Sequence, residues 1–212
     1  MYTPAQFKVE DAAEVHGLMR AHPFAILVTQ GADGVTATHL PIVLKADEAN
    51  PLGRIKCHVA RPNPQWKSFA ADVDALMIFQ GPEAYIRPGW YPSKAEHGKA
   101  VPTWNYVAVH AYGRLRVMND KAWLLAHVGE LSDQQEAPYE QRWSMADAPA
   151  SYLDVMTRGI VGLTLDITRL EGKVKMSQNR DMADRTGVVQ GLGERGAGHD
   201  AEMAVMVDKL MR

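Results

Sequence analysis

From Val9 to His22, apolar Ala12, Val15, Leu18 and Met19 recur at helical spacing, with Glu10 and Asp11 in the first turn and Pro23 just past the end. That pattern predicts a helix with acids at its positive end. The period then changes. Phe24–Gln30 and Val35–Leu44 are two β-rich runs around Gly31-Ala32-Asp33-Gly34, which predicts a hairpin. Pro41 cannot donate to a ladder, so the second run belongs at an edge or a bulge. Asn50-Pro51-Leu52-Gly53 marks a turn, and Arg54–Ala60 then alternates with Ile55, Cys57 and Val59 on one face. Pro62 and Pro64 end that strand, and a short helix carrying Trp66 and Phe69 follows.

Further along, Asp74–Gln80 reads as an apolar strand, broken by Gly81-Pro82 and resumed over Ala84–Arg87. Pro88–Pro102 is a Pro-rich loop with Trp90, Tyr91 and Lys94. Thr103–Met118 is a long aromatic-rich strand, Asp120–Leu131 and Ala150–Arg158 are helices, and Gly159–Met176 is the last long strand. The tail from Asn179 reads as a short helical stretch, a flexible Gly-rich turn and a final helix over Asp200–Met211. Strands dominate the middle and helices decorate the edges, without β-α-β repetition. The expectation is an α+β protein, mostly β with peripheral helices, built on an antiparallel barrel. A single domain over residues 1–212 is expected, with a helical extension from about residue 179.

Composition narrows the function classes. The 23 Lys and Arg nearly balance 25 Asp and Glu, a net charge of −2, which excludes a broadly basic nucleic-acid binder. One cysteine, Cys57, excludes an intrachain disulfide and a thiolate zinc cluster, and is most simply a small buried residue. The start lacks a signal-peptide pattern and no apolar run could span a bilayer, so a cytoplasmic protein with no membrane partner is expected.

Some motifs fail on context. Gly191-x-Gly193-x-x-Gly196 spells a dinucleotide fingerprint, but only sixteen residues follow Gly196, too few for the unit the motif serves. The eight histidines are scattered, although His39, His58 and His110 fall on strands that could converge. No metal site is expected from their spacing.

Four segments carry candidate chemistry. His58-Val59-Ala60-Arg61-Pro62-Asn63-Pro64 ends a strand and starts a helix, where an anion could meet Arg61, unless Arg61 is a plain surface charge. Gln80-Gly81-Pro82 through Lys94 sets aromatics beside a lysine, suiting a flat ring or a rigid cap over the core. Trp104-Asn105-Tyr106 puts two aromatics on one strand face and an amide on the other, for a heterocycle edge or for packing. Lys173 to Arg180 is locally basic, but Asp166–Arg212 holds eight basic and eight acidic residues, so any patch for DNA is small.

Taken together, these segments resemble the PaiB-type family, the FMN-binding negative transcriptional regulators. The resemblance rests on Met1-Tyr2-Thr3-Pro4-x-x-Phe7, HVARPNPQW, GPEAYIRPGWYPSK, VPTWNYVAVHAYG and KMSQNRDMADRTGVVQGL, in that order across nearly the whole chain. It implies an antiparallel split β-barrel like that of the pyridoxamine-phosphate oxidase superfamily, usually a homodimer with FMN in clefts at the subunit interface. Carried over, Thr38, His39, Leu40 and Pro41 would line the flavin, and Arg61 and Asn63, beside His58 and Ala60, would hold the phosphate end. Gln80, Trp104, Asn105 and Tyr106 are candidates for the ring or the partner-subunit wall. The resemblance also implies a regulatory role, for which direct DNA contact has weak support in the charge balance. A flavin-dependent oxidoreductase acting on a small molecule and a haem- or metal-binding split barrel are the alternatives.

Overall fold

The computed structural model describes all residues, 1–212. Its strands are β1 (Lys8–Val9), β2 (Phe24–Gly31), β3 (Gly34–Pro41), β4 (Val43–Asp47), β5 (Asn50–Ala60), β6 (Ala75–Ile86), β7 (Thr103–Met118) and β8 (Ile160–Lys175). Its helices are α1 (Ala12–Ala21), α2 (Gln65–Ser68), α3 (Ser93–His97), α4 (Lys121–Glu136), α5 (Ala150–Arg158), α6 (Met182–Arg195) and α7 (Asp200–Lys209). The sheet runs β3-β2-β6-β7-β8-β5-β4, with β1 on β8. The β2–β3, β2–β6, β4–β5, β5–β8 and β1–β8 ladders are all antiparallel. No helix is long and apolar enough to cross a membrane.

Contacts gather the chain into two compact units. One holds Met1–Val15, Gln80–Val109 and Glu171–Arg212; the other holds His16–Phe79 and His110–Leu170. The second unit is built on alternation. Ala25, Leu27, Met77, Phe79, Ile55, Cys57, Leu163 and Leu165 are buried on one side of their strands. Cys57 is fully buried, as its place in the alternation predicts, and burial pushes its thiol up to about 12. On the other side of the hairpin, Ile26 and Val28 are only half covered, beside half-covered Leu76 and Ile78 on β6 and exposed Val35 and Ala37 on β3. Phe24 stands at the end of this row, 64% exposed, and stacks on His39 with ring centroids 6.3 Å apart.

The first unit packs α6 and α7 with Ile86, Val107, Met176, Val188, Leu192, Met203 and Val207 in its interior. Asp181 caps α6, its side chain accepting from Asp184 N. At the other end Gly196 takes φ 57° and its N–H bonds to Leu192 O, the left-handed close that glycine allows at least cost.

Five local expectations are corrected. Asn50–Gly53 opens β5 rather than forming a turn, and the run over Val35–Leu44 divides at Ile42 into β3 and β4, the latter pairing with β5. The Gly-rich stretch is the C-terminal half of α6 rather than a flexible turn. Gly191 is there because a Cβ would lie 2.2 Å from the Trp90 ring; the helix needs a gap, and packing overrides propensity. Gly81-Pro82 does not break β6, which runs unbroken from Ala75 to Ile86. The register with β2 ends at Ile78, so beyond that point the missing Pro82 N–H removes no β2 bond. The loop after β6 contains α3, closed by Gly98. Pro41 behaves as expected: it ends β3, the strand at the sheet edge.

Candidate functional site

At the end of β5 the chain turns through Arg61-Pro62-Asn63-Pro64 into α2. Asn63 organises this turn. Its Oδ1 accepts from Gln65 N at 2.9 Å, and its Nδ2 donates to Thr38 Oγ1 on β3 at 3.0 Å. Thr38 therefore accepts with its oxygen and keeps its own hydroxyl proton to donate. Gln65, fully buried, ties the turn down: its Nε2 lies 3.2 Å from Leu27 O, 3.0 Å from Thr29 Oγ1 and 3.2 Å from Thr36 O. The sequence reading missed Gln65. A glutamine after Asn-x gives no signal until the fold carries β2 and β3 over it.

Arg61 is engaged at a second corner through two of its donors. Its Nε donates to Arg158 O at 2.6 Å and its Nη2 to Ile160 O at 2.7 Å. These carbonyls lie at the negative end of α5 and the start of β8, so the guanidinium acts as a C-terminal cap. Arg61 also lines a cavity of about 140 Å³ with Lys121, Arg158 and Asp154. Lys121 pairs with Asp154 at 2.6 Å, which leaves two guanidinium groups as the balance of charge there.

His58 and Ala60 lie on β5 just before this turn. His58 Nδ1 sits 3.1 Å from Nε2 of His127 on α4, and His127 stacks on Trp123 with centroids 5.2 Å apart. His127 is fully buried and its Nδ1 has no hydrogen-bond partner. Burial first, then the charges of His58 and Lys56, push the His127 imidazole down to about 4 despite Glu130. Burial also lowers His58. Both rings are thus neutral in the fold, and one donates to the other. His127 carried no signal in the sequence, because its role depends on α4 lying over β5.

Thr38 is half-buried, while alternation sends Leu40 into the core at 2% exposure. His39 is exposed and Pro41 half-buried, both on the opposite face. Gln80 is exposed, its Nε2 3.4 Å from Glu83 Oε2. Along β7 the expected alternation holds. Trp104 is 53% exposed and meets Tyr85 edge-on, Tyr106 is half-buried under Lys173, and Asn105 is fully buried, donating from Nδ2 to Ser177 Oγ at 3.0 Å. Of the twelve candidates, then, the structure joins Thr38 to Asn63 directly. His58 and Arg61, though near Asn63 in sequence, contact α4 and the α5–β8 corner.

Does this arrangement suit a flavin phosphate? Thr38 offers a hydroxyl proton, Arg61 keeps donors beyond its two capping bonds, and no carboxylate bonds to Thr38, Arg61 or Asn63. The donor set fits a phosphate.

Comparison with known proteins agrees with this chemistry. Residues 1–169 match the family described as "Putative FMN-binding domain". Over its full length the chain is 32% identical to protease synthase and sporulation protein PAI 2 of Bacillus subtilis, covering 99% of that protein. It is 33% identical to an uncharacterised protein of Emericella nidulans, over 92% of each chain. Among solved structures it resembles the flavocytochrome Anf3 of Azotobacter vinelandii (TM-score 0.58, 14% identity, 85% of this chain and 75% of that one). It also resembles an FAD and heme binding protein of Mycobacterium smegmatis (TM-score 0.57, 10% identity, 87% and 80%). At such low identity these two likenesses speak for the fold, the antiparallel split barrel, and for nothing further.

Proposed function

Since the chain belongs to the PaiB-type FMN-binding family and FMN is its cofactor, we propose that it is a flavin-bearing regulatory protein acting as a cytoplasmic homodimer. The observation that carries the regulatory reading is the end-to-end likeness to PAI 2, whose name ties it to protease synthesis and sporulation. FMN supplies a redox-active ring when bound. Its phosphate belongs at the β5–α2 turn, held by Thr38, Asn63 and the remaining donors of Arg61.

Regulation here works through a bound small molecule or a protein partner rather than through DNA. The basic residues best placed by sequence are turned inward. Lys173 is 7% exposed, donates to Tyr2 O at 3.1 Å and lies 5.0 Å from the centre of the Tyr106 ring. Lys175 donates to Trp104 O at 2.7 Å, and Arg180 lies over the Tyr91 ring. Side chains so engaged make a poor phosphate-tracking surface.

Support for the homodimer comes from the outer face of β3-β2-β6. Ile26, Val28, Val35, Leu76 and Ile78 form an apolar row that the chain does not cover, and a second copy is the occupant that fits the homodimeric, interface-bound FMN arrangement usual in the superfamily the chain resembles. The test compares transcripts in a strain lacking the protein, complemented with wild type or with Thr38→Val/Asn63→Ala. Wild type restores the profile and the double variant does not. Full restoration by a variant shown not to bind FMN, or no transcript change on deletion, rejects the proposal. Promoter DNA is expected to show no mobility shift at low salt.

A further inference from the structure

Within the unit formed by Met1–Val15, Gln80–Val109 and Glu171–Arg212 lies a second cavity, of about 210 Å³. Lys175 and Arg180 line it, together with Thr103, Asn105, Ser177 and Tyr91; no acidic side chain is part of its wall. The Lys175 ammonium is held by neutral oxygens only, Thr103 Oγ1 and Trp104 O. Burial, with the charge of Lys173 second, pulls it below the ordinary lysine range. Arg180 has only a distant counter-charge: Asp184 lies 3.9 Å away and already accepts from Ser93 N at 3.1 Å and Ser93 Oγ at 2.8 Å.

The polar part of the wall is buried and hydrogen-bonded within itself. Asn105 is fully buried and Ser177 is 3% exposed, and they hydrogen-bond to each other. Ser177 is also the one non-glycine residue with positive φ, 61°. A β-branch-free residue held in that region costs energy that surrounding structure must offset, and such residues gather at ligand sites. Ser177 also donates to Asn105 Oδ1 at 3.2 Å, so the donors left for an oxyanion around this small opening are the two cations and the second N–H of the Asn105 amide.

We infer that this cavity binds the oxyanion of a small molecule, a carboxylate or a phosphate, between Lys175 and Arg180. The site is built from residues other than those assigned to the FMN phosphate, and it does not depend on the regulatory reading. Its dimensions admit the anionic end of a metabolite.

The test titrates the FMN-loaded full-length protein with inorganic phosphate and with succinate by calorimetry, in a buffer without competing oxyanions. One of the two is expected to bind at a single site. Lys175→Gln keeps donors for Thr103 and Trp104 but removes the charge, so it is expected to weaken that binding by about tenfold or more. Lys175→Arg restores the charge and recovers most of the affinity. A merely structural lysine would be served by glutamine. If Lys175→Gln fails to fold, as judged by its thermal transition, Arg180→Gln carries the same expectation. Absence of binding by both oxyanions in the wild type overturns the inference, as does unchanged binding in the folded variants. So does a selective loss of FMN relative to riboflavin in Lys175→Gln, which would assign the cavity to the flavin's own phosphate.

Discussion

Nε2 of fully buried His127 lies 3.1 Å from Nδ1 of half-buried His58, and this pair bridges α4 and β5 with both rings uncharged. Lys56 and Glu130 face it from the same two elements and pair with each other at 2.9 Å. Unfolding exposes the His127 imidazole, so its proton affinity returns from about 4 to the ordinary 6.5. Between those values the unfolded chain binds the extra proton. Stability is therefore full above about pH 6.5 and falls as pH drops toward 4, by up to about 3 kcal/mol from this group. Denaturant unfolding at pH 7, 6 and 5 is expected to show this fall, and His127→Phe to flatten it. An identical slope in the variant would remove His127 as the source.

The phosphate proposed at the β5–α2 turn makes Thr38 and Asn63 the residues to test. Thr38→Val and Asn63→Ala are each expected to weaken FMN by about tenfold, with riboflavin affinity little changed. Flavin fluorescence titration reads both. Equal losses for the two flavins would move the phosphate elsewhere.

Arg61→Ala is expected to do two things at once. It weakens FMN retention while leaving the protein folded and the proposed dimer intact, and it uncaps α5, lowering stability by about 1 kcal/mol. Titration and thermal unfolding of one protein preparation measure both effects. A stability loss with FMN affinity intact would leave Arg61 only its capping role.

The outer face of the β2–β3 hairpin offers a direct test of the homodimer. Ile26 sits in the middle of the apolar row, opposite His39 on β3 and Ile78 on β6. Ile26→Glu is expected to convert the dimer to monomer in sedimentation at micromolar concentration, with the fold retained, because a charge cannot be desolvated there without a partner. A wild-type monomer, or a dimer that the substitution leaves intact, excludes this face as the interface.

Gly191 gives a packing test within the unit that holds α6 and α7. A methyl group there would overlap the Trp90 ring, which also carries the Arg195 guanidinium 5.0 Å from its centre. Gly191→Ala is expected to destabilise by about 1–3 kcal/mol despite alanine's better helix propensity. A stabilised variant would mean that Trp90 moves aside freely.

Much of the architecture was written in local patterns. The 3.6-residue spacing before Pro23, the two-residue alternation through Ile55, Cys57 and Val59, and the turn at Gly31–Gly34 each appear where expected. Gly81-Pro82 and Gly191 misled because their meaning depends on which neighbour lies alongside. In the candidate site, the family's motifs drew attention to Thr38 and Asn63, which the fold joins by a hydrogen bond, and to Asn105, which it buries. Gln65, His127 and Ser177 were not. Gln65 acts on strands 29 to 38 residues earlier, and Ser177 bonds to a residue 72 positions away.

The near-neutral balance of 23 basic and 25 acidic residues, the lone buried thiol, the strand-rich middle and the family were decided by the sequence alone, since each rests on composition or on order along the chain. Only the tertiary structure decided where the cations go. Arg61 became a helix cap, Lys173 a buried contact and Lys175 the wall of a cavity. A charge in a sequence is only a count, whereas its use depends on the carbonyls, rings and acids that folding brings within a few ångströms, where desolvation and hydrogen bonding outweigh net charge.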